Sequence, residues 1–201
     1  MYTEYMSNFS SKKLLLLLAI VLVIGALFFM MFRSGQETKS RISLEVSADK
    51  PTYTSGEEIT LTAKLTNAGS GETCVSNMET ASVRVSSLLR DGEEVATRSA
   101  VSYFITSFPK MLESSLVPLP SGESLELILE SSRDQGLDAQ ALRTTALRDG
   151  RGVATFYDVE TPGSYKLELV YKYQGTASPE CADVFEGETN TATVLFNITS
   201  E

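Results

Sequence analysis

Histidine is absent from all 201 residues, and so is tryptophan. The first absence removes the Ser-His-Asp and Cys-His nucleophilic systems, the commonest general base and most zinc sites. The second removes the best side chain for holding cations over a ring face. Positive charge is scarce: 17 Lys and Arg stand against 26 Asp and Glu, a formal net charge of −9. Nucleic-acid binding rests on clustered cations that neutralise phosphates, so this balance argues against a nucleic-acid partner. Catalytic motifs are missing as well, with no G-x-S-x-G, no Walker loop and no G-x-G-x-x-G. Ser47-Ala48-Asp49-Lys50 fits S-x-x-K by letter, but that motif needs its serine at a helix start, and here a strand ends before Pro51. Paired carboxylates are common in any acidic chain and do not select a glycosidase. No catalytic residue, metal ligand or cofactor is assigned, and the chain is expected not to be an enzyme.

What is present begins with a single apolar run, LLLLLAIVLVIGALFFMMF, from Leu14 to Phe32. At 1.5 Å per residue it reaches about 28 Å, close to a hydrocarbon core of about 30 Å. It exceeds the apolar core of about 7–15 residues in a signal peptide, and no small-x-small cleavage site follows. The expectation is an uncleaved transmembrane helix over residues 14–33, after a cytoplasmic tail over 1–13. Flanking charge gives little orientation: Lys12 and Lys13 precede the run, and Arg33, Lys39 and Arg41 follow it. From Ser34 onward, 14 basic against 25 acidic side chains leave a net charge of −11. A segment of that length is translocated largely regardless of its charge, and the long C-terminal part is placed outside the cytoplasm. The localisation read from this is the cell membrane, single-pass.

Residues 34–40, SGQETKS, form a polar spacer, and beyond it the period changes to two. ISLEVSA (Ile42 to Ala48) alternates, as does EITLTAKLT (Glu58 to Thr66), which puts Ile59, Leu61, Ala63 and Leu65 on one face. SVRVSSLL, Val95 to Ile105, SLELILES, VATFYDV, SYKLELVYKY and TATVLFNIT continue the theme. Turn signals separate them at Ser55-Gly56, Asp91-Gly92, Ser121-Gly122, Asp149-Gly150 and Pro162-Gly163. Residues 41–201 therefore predict an all-β domain, an antiparallel sandwich or barrel. One helix is expected, LDAQALRTTAL from Leu137 to Leu147, with Gly150 just past its end. SGE-x-[IL]-x-L and LRDG-x-x-VAT each occur twice, in the same order. Generic turn chemistry accounts for both better than an internal duplication.

Asp49 to Asn67, DKPTYTSGEEITLTAKLTN, resembles the opening of bacterial extracytoplasmic immunoglobulin-like modules, and Phe156 to Tyr171, FYDVETPGSYKLELVY, resembles their penultimate strand. The order of segments is also similar to the BsuPI-type proteinase inhibitor family. The resemblance implies an immunoglobulin-like β-sandwich behind the single N-terminal transmembrane α-helix. In Pro162-Gly163-x-Tyr165, Pro162 sets φ and the tyrosine hydroxyl is positioned to bond a nearby carbonyl, a structural corner.

Three places are candidates for function. In immunoglobulin topology the loops bearing Cys74 and Cys181 lie at one end, so the two sulfurs can form a disulfide; two isolated thiols are the alternative. In SPECADVFEGE, Glu180, Asp183, Glu186 and Glu188 surround Val184 and Phe185. An acidic loop with an apolar tip suits a basic partner surface, with Phe185 as anchor. A solvated loop with Phe185 packed beneath it is an equal reading, and carboxylate binding of calcium matches no known spacing. The segment Tyr103 to Leu119 is either a crossover packed on the sheet or an apolar surface for a partner. Asn8 and Asn197 head glycosylation sequons, which matter in a secretory pathway alone. The function expected is a membrane-anchored, non-catalytic binding or assembly module with an envelope protein as partner. The alternative is a membrane-tethered proteinase inhibitor.

Overall fold

Most of the long strands alternate apolar and polar side chains, and the structure turns the apolar faces toward one another. It is a computed structural model that describes residues 41–101, 107–133 and 139–200, all within the unit Ser40–Glu201. In chain order the first half carries β1 (Ile42–Ala48), β2 (Thr52–Thr54), β3 (Thr60–Asn67), β4 (Thr73–Ser76), α1 (Glu79–Ser82), β5 (Val83–Arg90), β6 (Glu93–Glu94) and β7 (Thr97–Val101). The second half carries α2 (Phe108–Ser114), β8 (Leu116–Leu119), β9 (Ser124–Glu130), β10 (Ala141–Arg148), β11 (Arg151–Asp158), β12 (Gly163–Tyr171) and β13 (Ala192–Thr199).

One sheet runs β1-β3-β9 and a second β2-β13-β12-β5-β6. In the first, Leu44 sits opposite Leu65 and Leu65 opposite Leu125, with Val46, Ala63 and Leu127 forming the next row. In the second, Leu167 lies between Leu88 and Val194, and Leu169 between Val85 and Ala192. These inward rows form one buried core, which makes the domain an all-β sandwich. The Tyr165 ring stacks on Phe196 at 5.1 Å, and Tyr53 meets Phe196 edge-on at 5.8 Å. The Tyr165 hydroxyl donates to the Thr161 carbonyl at 2.7 Å, closing the Pro162-Gly163 corner. A Cβ on Gly163 would lie 2.6 Å from Asp91 Oδ2, so the close approach of the two turns requires glycine there.

Two smaller sheets, β10-β11-β7 and β4-β8, flank the sandwich. The pairing is not wholly antiparallel as the sequence suggested: β2 runs parallel to β13, with Thr52 opposite Asn197. Pro51 lies just before that short strand, and its carbonyl accepts from the Asn197 N–H at 2.9 Å.

The helix expected from Leu137 to Leu147 is not formed in its described part. Ala141–Arg148 is β10, paired with β11 from Ala141↔Asp158 to Arg148↔Arg151. The Asp149-Gly150 pair that looked like a helix end closes this hairpin instead, with φ of 49° and 74°. Asp91-Gly92 does the same between β5 and β6, at 54° and 86°. The repeated LRDG motif is thus a two-residue hairpin used twice. The segment after β7 contains α2, entered through Pro109 and burying Phe108 and Leu112, followed by β8. Its described part is a crossover packed on the core; residues 102–106, including Tyr103, Phe104 and Ile105, lie outside the described residues. The apolar run from Leu14 to Phe32 and the tail before it lie outside them too. Among the described residues, no helix is long and apolar enough to cross a membrane.

Candidate binding surface: the disulfide-clamped acidic loop

The chain between β12 and β13, residues 172–191, has little regular structure of its own and is held by what it touches. Cys181 is bonded to Cys74 in β4, with the two Cα atoms 5.8 Å apart and 107 residues between them in sequence. In the chain-entropy account, closing a span of that length is worth about 4.7 kcal/mol before strain. Beside the bridge, the Cys74 N–H donates to the Asp183 carbonyl at 2.7 Å, and the Phe185 N–H donates to the Cys74 carbonyl at 3.0 Å. The Thr73 hydroxyl also donates to the Asp183 carbonyl, at 2.9 Å. Residues 183–185 thereby run along β4 as a short parallel addition.

The loop is fixed at its ends as well. Tyr171 N–H donates to Thr189 Oγ1 at 2.9 Å, and Thr189 N–H returns to the Tyr171 carbonyl at 3.1 Å. Asn190 reaches across to β1, accepting from Leu44 N–H at 3.1 Å and donating to the Leu44 carbonyl at 3.0 Å. That side chain takes the place of a neighbouring strand at the β1 edge.

The predicted site residues separate into two groups. Glu180, Asp183, Glu186 and Glu188 are all exposed. Asp183 pairs with Arg41 at 3.1 Å and Glu188 with Lys172 at 3.2 Å, both in solvent-exposed positions where such contacts contribute little. Phe185 is half-buried, its ring 6.1 Å from that of Tyr171, and Val184 packs on the core beside it. The apolar tip thus points down, and the charged rim points out. Among the described residues, no three His, Cys, Asp or Glu side chains gather as they would around a metal ion.

Tyr171 anchors this end of the sandwich. Its hydroxyl accepts from the buried Ser76 N–H at 2.7 Å, and burial holds the phenol far above its ordinary titration range. Sequence reasoning missed Tyr171, Asn190 and Arg41 as supports of the loop. Tyr171 carries a weak signal, an aromatic closing an apolar strand; an asparagine or arginine with a partner more than a hundred residues away carries none.

No protein-family model matches this chain, and no curated protein matches it. Among solved structures, the seventh ScaB type I cohesin from Pseudobacteroides cellulosolvens is similar at 10% identity, over 79% of this chain and 94% of that chain. The TM-score is 0.26, too low to establish a common fold, and the sandwich described above stands on its strand pairing alone.

Proposed function

We propose that this chain is a membrane-anchored, extracytoplasmic, immunoglobulin-like module that binds a protein partner of the cell envelope and performs no chemistry of its own. The observation that carries this reading is the disulfide between Cys74 and Cys181, in a β-sandwich whose chain also holds a 19-residue apolar run. Structural disulfides persist in oxidising compartments, and a run of that length suits a bilayer. The division into a β1-β3-β9 sheet and one holding β13-β12-β5 agrees with immunoglobulin topology. The clamped loop supplies rigidity for recognition at low ordering cost, with Glu180 and Glu186 at its rim.

The test is capture. The full chain, solubilised in a neutral detergent and immobilised, is expected to retain a discrete envelope protein near one-to-one, and to lose it when Glu180, Asp183, Glu186 and Glu188 are replaced by Gln or Asn. A folded chain that retains nothing overturns the reading. The same rigid loop is the observation in favour of the proteinase-inhibitor alternative. In that case the retained protein is a protease, and it forms a stoichiometric complex without cutting the loop.

A further inference from the structure

Two asparagines of this chain head an Asn-x-Ser/Thr triplet, Asn8 ahead of the apolar run and Asn197 in β13. Asn67, Asn77 and Asn190 lack the hydroxyl residue two places on. The fold also separates them by what their amides do. Asn67 Nδ2 donates to the Gly71 and Leu119 carbonyls, both at 2.8 Å, and Asn190 Nδ2 donates to the Leu44 carbonyl at 3.0 Å. Asn197 instead lies on the outward face of β13, exposed between buried Phe196 and Ile198. Its Oδ1 accepts from the Ser164 hydroxyl at 2.8 Å, and its Nδ2 has no acceptor among the described residues. The oxygen half of this amide is anchored, and the nitrogen half is open to solvent.

The surroundings hold room for a large substituent on that nitrogen. Leu195 precedes Asn197 by two residues, on the same face and about 7 Å away along the strand. It is the most exposed large apolar side chain among the described residues, at 68%. A shallow groove of about 600 Å³ runs past both, lined also by Pro51, Leu89 and Lys166. A chain of sugars attached at Nδ2 has this groove to occupy, and the Ser164 bond to Oδ1 survives the attachment.

We infer that Asn197 is a modification site that carries an N-linked oligosaccharide, seated over Leu195 and the groove beside it. The donor is an oligosaccharide joined through its anomeric carbon to a lipid phosphate, and the catalyst is a membrane oligosaccharide transferase. Asn197 Nδ2 forms the new bond to the anomeric carbon as the bond from that carbon to the phosphate oxygen breaks. The lipid phosphate leaves with the electron pair, and one amide proton passes to a base of the transferase. The fold dictates when this occurs. Thr199 Oγ1 donates to the Tyr53 carbonyl at 3.2 Å, and the Asn197 N–H donates to the Pro51 carbonyl at 2.9 Å. Both groups are engaged once β13 is paired with β2 and β12, so the transferase reads the triplet before the strand docks. This assignment rests on the extracytoplasmic reading, under which Asn8 lies across the membrane and stays bare.

The test is mass spectrometry of peptides from the full chain, purified in neutral detergent from the membranes of its own cells. The peptide holding Asn197 is expected to carry an added mass that fragments into sugars, and the peptide holding Asn8 to carry none. Asn197→Gln and Thr199→Ala are expected to lose the added mass, and Thr199→Ser, which keeps the hydroxyl, to retain it. A bare Asn197 in the unaltered chain overturns the site, and so does a mass that survives Thr199→Ala. Hydroxyl-radical oxidation at Leu195 is expected to be slower in the unaltered chain than in Asn197→Gln; equal rates overturn the seat over Leu195. In parallel, intact cells are treated with an amine reagent that does not cross membranes, and exposed Lys64 and Lys110 are read for label. Bare Asn197 on a domain labelled from outside removes the glycan site and leaves the module. Bare Asn197 on an unlabelled domain, or sugar on Asn8, removes the extracytoplasmic reading and the site with it.

Discussion

Removing the sulfur of either Cys74 or Cys181 opens the same 107-residue span, so the two single variants must behave alike. Cys74→Ser, Cys181→Ser and the double variant are each expected to lose about 2–5 kcal/mol by denaturant unfolding, with no added loss in the double. The full chain purified without reductant should offer no alkylatable thiol; one reactive thiol per chain would contradict the bridge. Asn190 makes a smaller, local contribution. Asn190→Ala leaves both backbone groups of Leu44 without their partner, at about 1–3 kcal/mol, and hydrogen exchange at the Leu44 amide should accelerate more than at its neighbours. The cysteines were visible in the sequence because thiols are rare and chemically distinct. Asn190 was not, since an asparagine side chain bonds whatever backbone the fold brings to it.

Among elements, the hairpins Asp91-Gly92 and Asp149-Gly150 show how local chemistry and distant pairing divide the work. Both central residues of each turn have positive φ, and nothing lies within 4 Å of a Cβ placed on Gly92 or Gly150. Gly92→Ala and Gly150→Ala should therefore lose stability through conformation alone, about 1–2 kcal/mol each by equilibrium unfolding. A neutral result at either would show that the turn relaxes freely. The Asp-Gly pairs were legible as turns, but what they join was not. Leu142, Ala146 and Leu147 fit a helical stripe as well as a strand, and Thr144 and Thr145 are poor arbiters. Pairing of all eight β10 residues with β11 decides for the strand, an interaction that local periodicity does not contain.

For the molecule as a whole, tyrosine sets the response to alkali. Burial raises the phenol pKa of Tyr53, Tyr165, Tyr171 and Tyr173, with the Asp49 carboxylate adding to the effect at Tyr53. The unfolded chain ionises these phenols near pH 10, while the folded chain holds them neutral. Stability from these four groups is thus fully present below about pH 10 and is lost as pH rises beyond it. Unfolding and the rise in tyrosinate absorbance from these four phenols should coincide, and ionisation of all four before unfolding would contradict their burial.

The long strands β1, β3, β5, β9, β11, β12 and β13, their inward faces, the main turns and the exclusion of histidine chemistry follow from composition and a period of two, because burial on one face of a strand is written residue by residue. Ile59, Leu61, Ala63 and Leu65, assigned to one face from alternation, are fully buried. The parallel β2-β13 pair, the hairpin in place of a helix and the inward turn of Phe185 depend on which segments meet. Such meetings are contacts between residues far apart in the chain, made by backbone groups common to every residue, and they leave no local pattern to read.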